Sequence, residues 1–296
     1  MPGAIRGAAT GLDKYADIIV KAALAEDVGT GDITTAAVVS PDAVGKAELI
    51  AKENMVVAGL FVAEKVFERL DKSVVFKAGC NDGEAIKKGS VIATVSGSLS
   101  AMLSAERVAL NFLQRLSGIA TLTNAFVKET WSARARILDT RKTTPCLRIL
   151  ERYAVRAGGG CNHRFGLFDC ILIKDNHIKA AGGIGQAVSM VNKKYGESAA
   201  IEVEVTAMEE VRQAIEAGAD IIMLDNMAPS QMKKAVKLIG GLALTEASGG
   251  ITLKNAGIAA ASGVDFISIG GLTHSARAVD ISMEVVSYAG KRKRGT

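Results

Sequence analysis

No two of the four cysteines, Cys80, Cys146, Cys161 and Cys170, stand as a CxxC pair. That spacing excludes a dithiol redox motif, and four thiols in 296 residues do not frame a small disulfide scaffold. Cys161, His163 and Cys170 can be drawn as a zinc site, but their spacing fits no standard pattern, and free thiols are the better reading. The opening stretch MPGAIRGAATGL lacks the apolar centre of a signal peptide, and no run reaches membrane-spanning length. The expectation is a soluble protein of the reducing cytoplasm, without a membrane partner. A spread basic face is also lacking. Formal net charge is +5, and Lys291-Arg292-Lys293-Arg294 supplies four of those charges. Nucleic acid is therefore not an expected partner, and the tail reads as a solvated terminus.

What charge there is concentrates in one place. From Arg141 to Lys179 there are eight basic residues against three acidic ones, and two of the three histidines, His163 and His177, lie there too. Arg141-Lys142, His163-Arg164 and Lys174 follow closely on apolar runs, which no fold requires. A pocket for a small, multiply charged anion does require it. Arginine suits bidentate carboxylate or phosphate contacts and lysine a point-charge contact. For any one of these residues a surface ion pair is the better reading; for the whole set, a pocket is. Lys174 has a rival role as a Schiff-base lysine of the aldolase kind.

The pattern changes near residue 115. Ahead of it, Tyr15 to Glu26 reads as an amphipathic helix, residues 25–35 (AEDVGTGDITT) as a turn-rich loop, Val44 to Ala51 as a strand and Gly59 to Leu70 as a helix. Val74 to Gly97 reads as strands broken at Asn81-Asp82-Gly83 and Lys88-Gly89. NDGEAIKKGSVIATV has the folding pattern of biotinyl and lipoyl carriers, but no Met-Lys-Met hairpin accompanies it, so it reads as a compact sandwich. Leu99 to Thr130 is one or two long helices. Beyond Trp131, short apolar runs at 135–140, 170–175, 200–205, 220–225, 242–248 and 265–271 alternate with helical stretches. Such runs make a parallel sheet buried on both faces. Their number favours a barrel, while spacing alone leaves a doubly wound sheet open.

Polar residues gather at the carboxyl ends of these runs, where barrel enzymes build their sites. Glu204 and Asp225 close two adjacent units. Beside a basic pocket they would bind a divalent metal carried by a phosphate substrate, or stabilise a developing cation. Glu202 points to the same face as Glu204 and is its ambiguous partner. Ser248-Gly249-Gly250 and Gly270-Gly271 would let backbone N–H groups close on a phosphate, although one glycine pair alone would be only a tight turn. Arg107, on a helix, reads by spacing as a solvent-facing residue. No side-chain nucleophile is evident.

Long stretches resemble one family, the quinolinate phosphoribosyltransferases. They are ALAEDVGTGDITT (23–35), AERVALNFLQRLSGIAT (105–121), DTRKTTPCLR (139–148), GGGCNHRFGLFDCILIKDNHI (158–178), EVEV (202–205), IIMLDN (221–226), EASGGI (246–251) and SIGGLTHS (268–275). The resemblance implies phosphoribosyl transfer from phosphoribosyl pyrophosphate to quinolinate with decarboxylation, a step of NAD synthesis. It implies an N-terminal α/β sandwich over 1–115 and an open, TIM-like α/β barrel over 116–275, with 276–296 packing back on the sandwich. It also implies a homodimer. Carried over, Arg141, His163, Arg164 and Lys174 bind the quinolinate carboxylates, and Arg107 enters from the partner subunit. Lys142, Ser248, Gly249, Gly250, Gly270 and Gly271 hold phosphate, with His274 near them. Glu204 and Asp225 face the ribose and its Mg²⁺. One departure stands out: Cys146 occupies a position where the family usually has glycine. The expectation is that Pro145 starts a helix and Cys146 sits in its first turn.

Overall fold

The computed structural model describes residues 8–196 and 199–289. The basic tail lies outside them. The described residues form two compact units, one within 1–122, 143–159 and 275–296, the other within 123–142 and 160–274. The boundary expected near 115 thus falls later, inside the single helix Leu99–Glu129, and residues 143–159 join the first unit.

In the first unit, strands β1 (Val44–Ala51), β3 (Val75–Ala78), β5 (Val91–Ser98) and β12 (Ile281–Ala289) form an antiparallel sheet ordered β12-β1-β5-β3. An antiparallel pair, β2 (Met55–Val56) and β4 (Ala85–Ile86), forms a sheet of its own. Alternation decides the faces: Ala47, Leu49 and Ala51 of β1 are buried and their neighbours are less so. Gly118, inside the long helix, lets the Arg277 carbonyl pass where any β-carbon would collide with it. The stretch 25–35 differs from expectation. The first helix runs on to Asp27, and Asp32 then caps a short helix, Ile33–Val38, accepting Thr35 N–H at 2.9 Å. A helix this short has no room for the apolar period by which a sequence reveals a helix.

Residues 143–159 join this unit through a buried carboxylate. Glu151, fully buried on helix Arg148–Ala157, accepts from Arg115 Nε and Nη2 at 3.2 and 2.8 Å, from Thr144 N–H at 3.0 Å and from Thr144 Oγ1 at 2.8 Å. Tyr153 donates to Asp82 at 2.7 Å and meets Phe61 edge to face. The expectation for Cys146 fails here. The helix starts only at Arg148, and Cys146 has φ +62°. Leu147 N–H closes a turn on the Thr144 carbonyl at 3.0 Å, with Pro145 second and Cys146 third. This is the type II pattern, whose third position wants glycine.

The second unit carries all six predicted strands: β6 (Arg136–Leu138), β7 (Ile171–Ile173), β8 (Ile201–Val205), β9 (Ile221–Asp225), β10 (Leu244–Ser248) and β11 (Phe266–Ser268). They are parallel and ordered β6-β11-β10-β9-β8-β7. A doubly wound sheet would reverse its order in the middle. Here the order runs round as in a TIM-like barrel, with β6 beside β11 and an open seam between β6 and β7. Cys161 takes part of that seam: its N–H donates to the Ile137 carbonyl at 2.8 Å and its carbonyl accepts Asp139 N–H at 3.2 Å. At the amino ends, Asp220 and Asp265 accept N–H groups of Ile201 and Thr245 at 2.7 and 2.8 Å. That end is spent on holding strands together, which leaves the carboxyl ends for chemistry.

Candidate active site

Lys174 and Glu204 stand at the carboxyl ends of neighbouring strands. Register pairs Ile173 with Val203, so the next residues meet, and Lys174 Nζ donates to Glu204 Oε2. The Lys174 N–H in turn donates to His177 Nδ1 at 3.0 Å, which makes His177 a cap of helix Asp175–Ala181.

Deeper lies a second charged group. Glu202 on β8 and Glu246 on β10, each 1% exposed, approach His163 Nε2 at 3.2 and 3.5 Å. Burial works to lower the His163 pKa, but the hydrogen bonds and charges of the two carboxylates outweigh it and push it up to about 10. Arg164 N–H, 2.6 Å from Nδ1, favours the neutral ring instead. Two ionised neighbours outweigh one neutral donor, so the upward direction stands. Glu202 itself is raised, chiefly by burial, against the pull of His163. Asp139, fully buried after β6, accepts His163 N–H at 2.8 Å and also the Asn162 amide. Arg164 Nη1 donates to the Cys170 carbonyl at 3.2 Å. The Cys170 thiol is pushed up, mainly by burial.

A third group spans β9 and β10. Ser248 pairs with Asp225 in the register, and Asn226 N–H donates to the Ser248 carbonyl at 2.9 Å. Asn226 adopts φ +53° and its amide donates to Asp225 Oδ2 at 2.8 Å. Gly249 is at φ +88°, with the Asn226 amide where a β-carbon would be. The fourth group joins the end of β6 to the turn after β11. A β-carbon on Gly270 would meet Lys142 Cδ at 2.9 Å and His274 Nε2 at 3.1 Å, and Thr273 Oγ1 donates to the Lys142 carbonyl at 2.7 Å. Gly270 is thus needed for space, Gly249 for space and positive φ together, and Gly250 for positive φ alone. Gly271 opens the short helix Gly271–His274 and meets nothing closer than 3.9 Å. Arg141, partly exposed, directly precedes Lys142. Arg107 belongs to the first unit, exposed on its long helix.

Sequence reasoning counted Asp139, Asn226 and Glu246 among the polar residues at the strand ends but gave them no role, and held Glu202 as ambiguous. The signal for both glutamates was there: IEVEV and LTEAS place a carboxylate inside strands that are otherwise built for burial.

Residues 32–117 match the family model for the N-terminal domain of quinolinate phosphoribosyl transferase, and residues 119–284 match that for its C-terminal domain. A Bacillus subtilis protein named "Probable nicotinate-nucleotide pyrophosphorylase [carboxylating]" is 48% identical over 260 residues, 88% of this chain and 90% of its own length. A chloroplastic nicotinate-nucleotide pyrophosphorylase (carboxylating) of Arabidopsis thaliana is 44% identical, over 90% of this chain and 82% of its own. Among solved structures, the nicotinate-nucleotide pyrophosphorylase of Francisella tularensis superposes with a TM-score of 0.89 at 41% identity, covering 92% of this chain and 96% of that one.

Proposed function

Since the chain belongs to the quinolinate phosphoribosyltransferase family, we propose that it transfers the phosphoribosyl group of phosphoribosyl pyrophosphate to quinolinate. The products are nicotinate mononucleotide, pyrophosphate and carbon dioxide, in a step of NAD biosynthesis. The observation that carries this reading is the cradle around Gly270, with Lys142 and His274 on either side of a residue that has no side chain. A lysine and a histidine packed together over a glycine backbone at a strand's carboxyl end suit a phosphate. The glycine turn at 249–250 supports the same reading beside Asp225.

Quinolinate, a dianion, would be taken by Arg141, Arg164 and Lys174, with His163 among them and Arg107 of the partner subunit completing a homodimeric site. Asp225 and Glu204 face the ribose. As pyrophosphate leaves, positive charge grows on the sugar ring, and the two carboxylates stabilise it. The pyridine nitrogen then bonds to the anomeric carbon. The positive ring nitrogen stabilises the electron pair left on the neighbouring carbon when its carboxylate departs as carbon dioxide, and a proton from water takes the carboxylate's place. Lys174 couples the two halves: quinolinate competes with Glu204 for its ammonium group, so binding the acid frees Glu204 for the sugar.

Magnesium, arriving with phosphoribosyl pyrophosphate, would be held by Asp225, with Glu204 joining once Lys174 releases it. Asp225 fits, because its Oδ2 takes only a neutral amide and no ion pair engages it among the described residues. The metal would neutralise charge on the departing pyrophosphate. We place the reaction in the cytoplasm; among the described residues no helix is long and apolar enough to cross a membrane.

The test is turnover. Purified protein with quinolinate, phosphoribosyl pyrophosphate and Mg²⁺ is expected to yield nicotinate mononucleotide, while nicotinate in place of quinolinate is not used. A pocket with an unpaired buried cation rejects the monoacid by roughly 2–5 kcal/mol. Equal turnover of both acids, or none of quinolinate, overturns the reading. Borohydride trapping with substrate separates it from Schiff-base chemistry at Lys174.

A further inference from the structure

Two glutamates lie where a buried parallel strand has no use for charge. Glu202 and Glu246 sit on β8 and β10, with β9 between their strands. Both nevertheless reach one atom, His163 Nε2, at 3.2 and 3.5 Å. Their other oxygens, the two Oε1 atoms, are buried with no hydrogen-bond partner among the described residues. A buried carboxylate with an unmet oxygen is costly, so such a pair is kept only where its remaining contacts compensate. On the other edge of the ring, Nδ1 packs 2.6 Å from the Arg164 peptide nitrogen and accepts its N–H while the ring is neutral. Both ring nitrogens are therefore engaged within the protein. The imidazole forms a link from the carboxylate pair to the Arg164 peptide, and Arg164 Nη1 is steadied on the Cys170 carbonyl.

We propose that Glu202 and Glu246 are positioning residues for quinolinate recognition. They grip His163 Nε2 from two strands, and the ring, through its Nδ1, sets the Arg164 peptide and guanidinium for the acid. Besides standing among the groups around the acid, His163 then acts on it through Arg164. This rests on the quinolinate reading above and deepens it. Two carboxylates on separate strands fix the ring's plane as well as its distance, which one could not do. The three groups also have metal-ligand chemistry, and their donor atoms lie within 4.8 Å of one another. But a metal would need Nε2 without its proton, and two flanking anions hold that proton in place.

Only three histidines, His163, His177 and His274, contribute ring signals, so ¹⁵N-histidine NMR resolves the site. In the unsubstituted, ligand-free protein, one Nε2–H is expected to persist in slow exchange from about pH 6 to 9 and to vanish in His163→Gln. Glu202→Gln and Glu246→Gln are each expected to displace that signal. Each should also raise KM for quinolinate about tenfold, the scale of one lost charged hydrogen bond, with KM for phosphoribosyl pyrophosphate changed less than about twofold. If the unsubstituted protein lacks the slow Nε2–H, the grip does not exist, whether or not the glutamine variants fold. If folded variants keep their quinolinate KM, or lose both KM values alike, the positioning role is wrong. Failure to turn over quinolinate at all sinks the functional reading and this role together, while the NMR signal still reports the grip separately.

Discussion

Lys174 Nζ donates to Glu204 Oε2, joining two residues that sequence reasoning gave to different substrates. The pair is half open to solvent, with the lysine side chain 41% exposed and the glutamate 13%. It is weak enough for a dianion to break. Two effects of Glu204→Gln are therefore expected to have opposite signs. Quinolinate should bind more tightly, by about fivefold, because a partly exposed pair worth about 1 kcal/mol no longer competes for the ammonium. Turnover should fall by about two to three powers of ten, because the carboxylate facing the sugar is gone. Calorimetry and single-turnover kinetics on one preparation check both. Weaker quinolinate binding in this variant would mean that the acid does not open the pair.

Cys146 holds φ +62° at the third position of its turn, and its carbonyl accepts Tyr15 Oη at 3.0 Å. A left-handed L-residue costs about 1–2 kcal/mol, and glycine returns part of the gain as chain entropy. Cys146→Gly is expected to stabilise the protein by about 0.5–1 kcal/mol. The check is a higher urea midpoint with an unchanged slope. A lower midpoint would show that the thiol has a packing role that outweighs the backbone strain.

Glu151 offers the opposite case, a buried charge with all its partners. Glu151→Gln leaves the Arg115 guanidinium, 26% exposed, without its counter-charge. Breaking such a pair costs about 3–5 kcal/mol, while replacing both partners with apolar groups costs much less. The double variant Arg115→Met/Glu151→Leu is expected to unfold at a higher urea concentration than Glu151→Gln. The reverse order would mean that the hydrogen bonds to Thr144 matter more than the ion pair.

Legibility followed distance along the chain. All six barrel strands could be read because an apolar run between polar ends is a local pattern, and Ile221–Asp225 needs no distant partner to be recognised. The seam between β6 and β7 could be expected only from the family resemblance and not from the pattern, since it depends on β6 finding β11 more than a hundred residues away. Cations that follow strands, such as Lys174, were visible. The partners that restrain them were not, because His163, Glu202 and Glu246 meet only after three elements have folded together. Residues 143–159 were placed with the barrel by sequence order, and only the contacts of Glu151 and Tyr153 reveal the other allegiance.

Arg107 is the site residue whose proposed role depends on a second subunit. Arg107→Ala and Lys174→Ala are each expected to be nearly inactive, since each removes a carboxylate contact. Mixed after subunit exchange, the two are expected to regain part of the activity, because some dimers then contain one intact site. If exchange is demonstrated by labelled subunits and activity stays absent, Arg107 does not act across the interface.

The pH dependence of stability follows from His163. Its folded pKa is raised, from an ordinary 6.5 to about 10, by Glu202 and Glu246 against the opposing effect of burial. A raised cationic group contributes stability fully below its unfolded pKa and loses it as pH climbs through the folded one. The charged and titratable groups around the ring are those two glutamates, with Arg164 and the Cys170 thiol close by. His163→Gln removes the titration while keeping a polar side chain. The gap in thermal midpoint between the parent and His163→Gln is therefore expected to be widest near pH 6.5 and to shrink steadily toward pH 10. Differential scanning calorimetry across that range measures it. A gap that stays constant would mean that the Arg164 N–H keeps the ring neutral throughout, and that the carboxylate pair holds a proton of its own in place of the imidazolium.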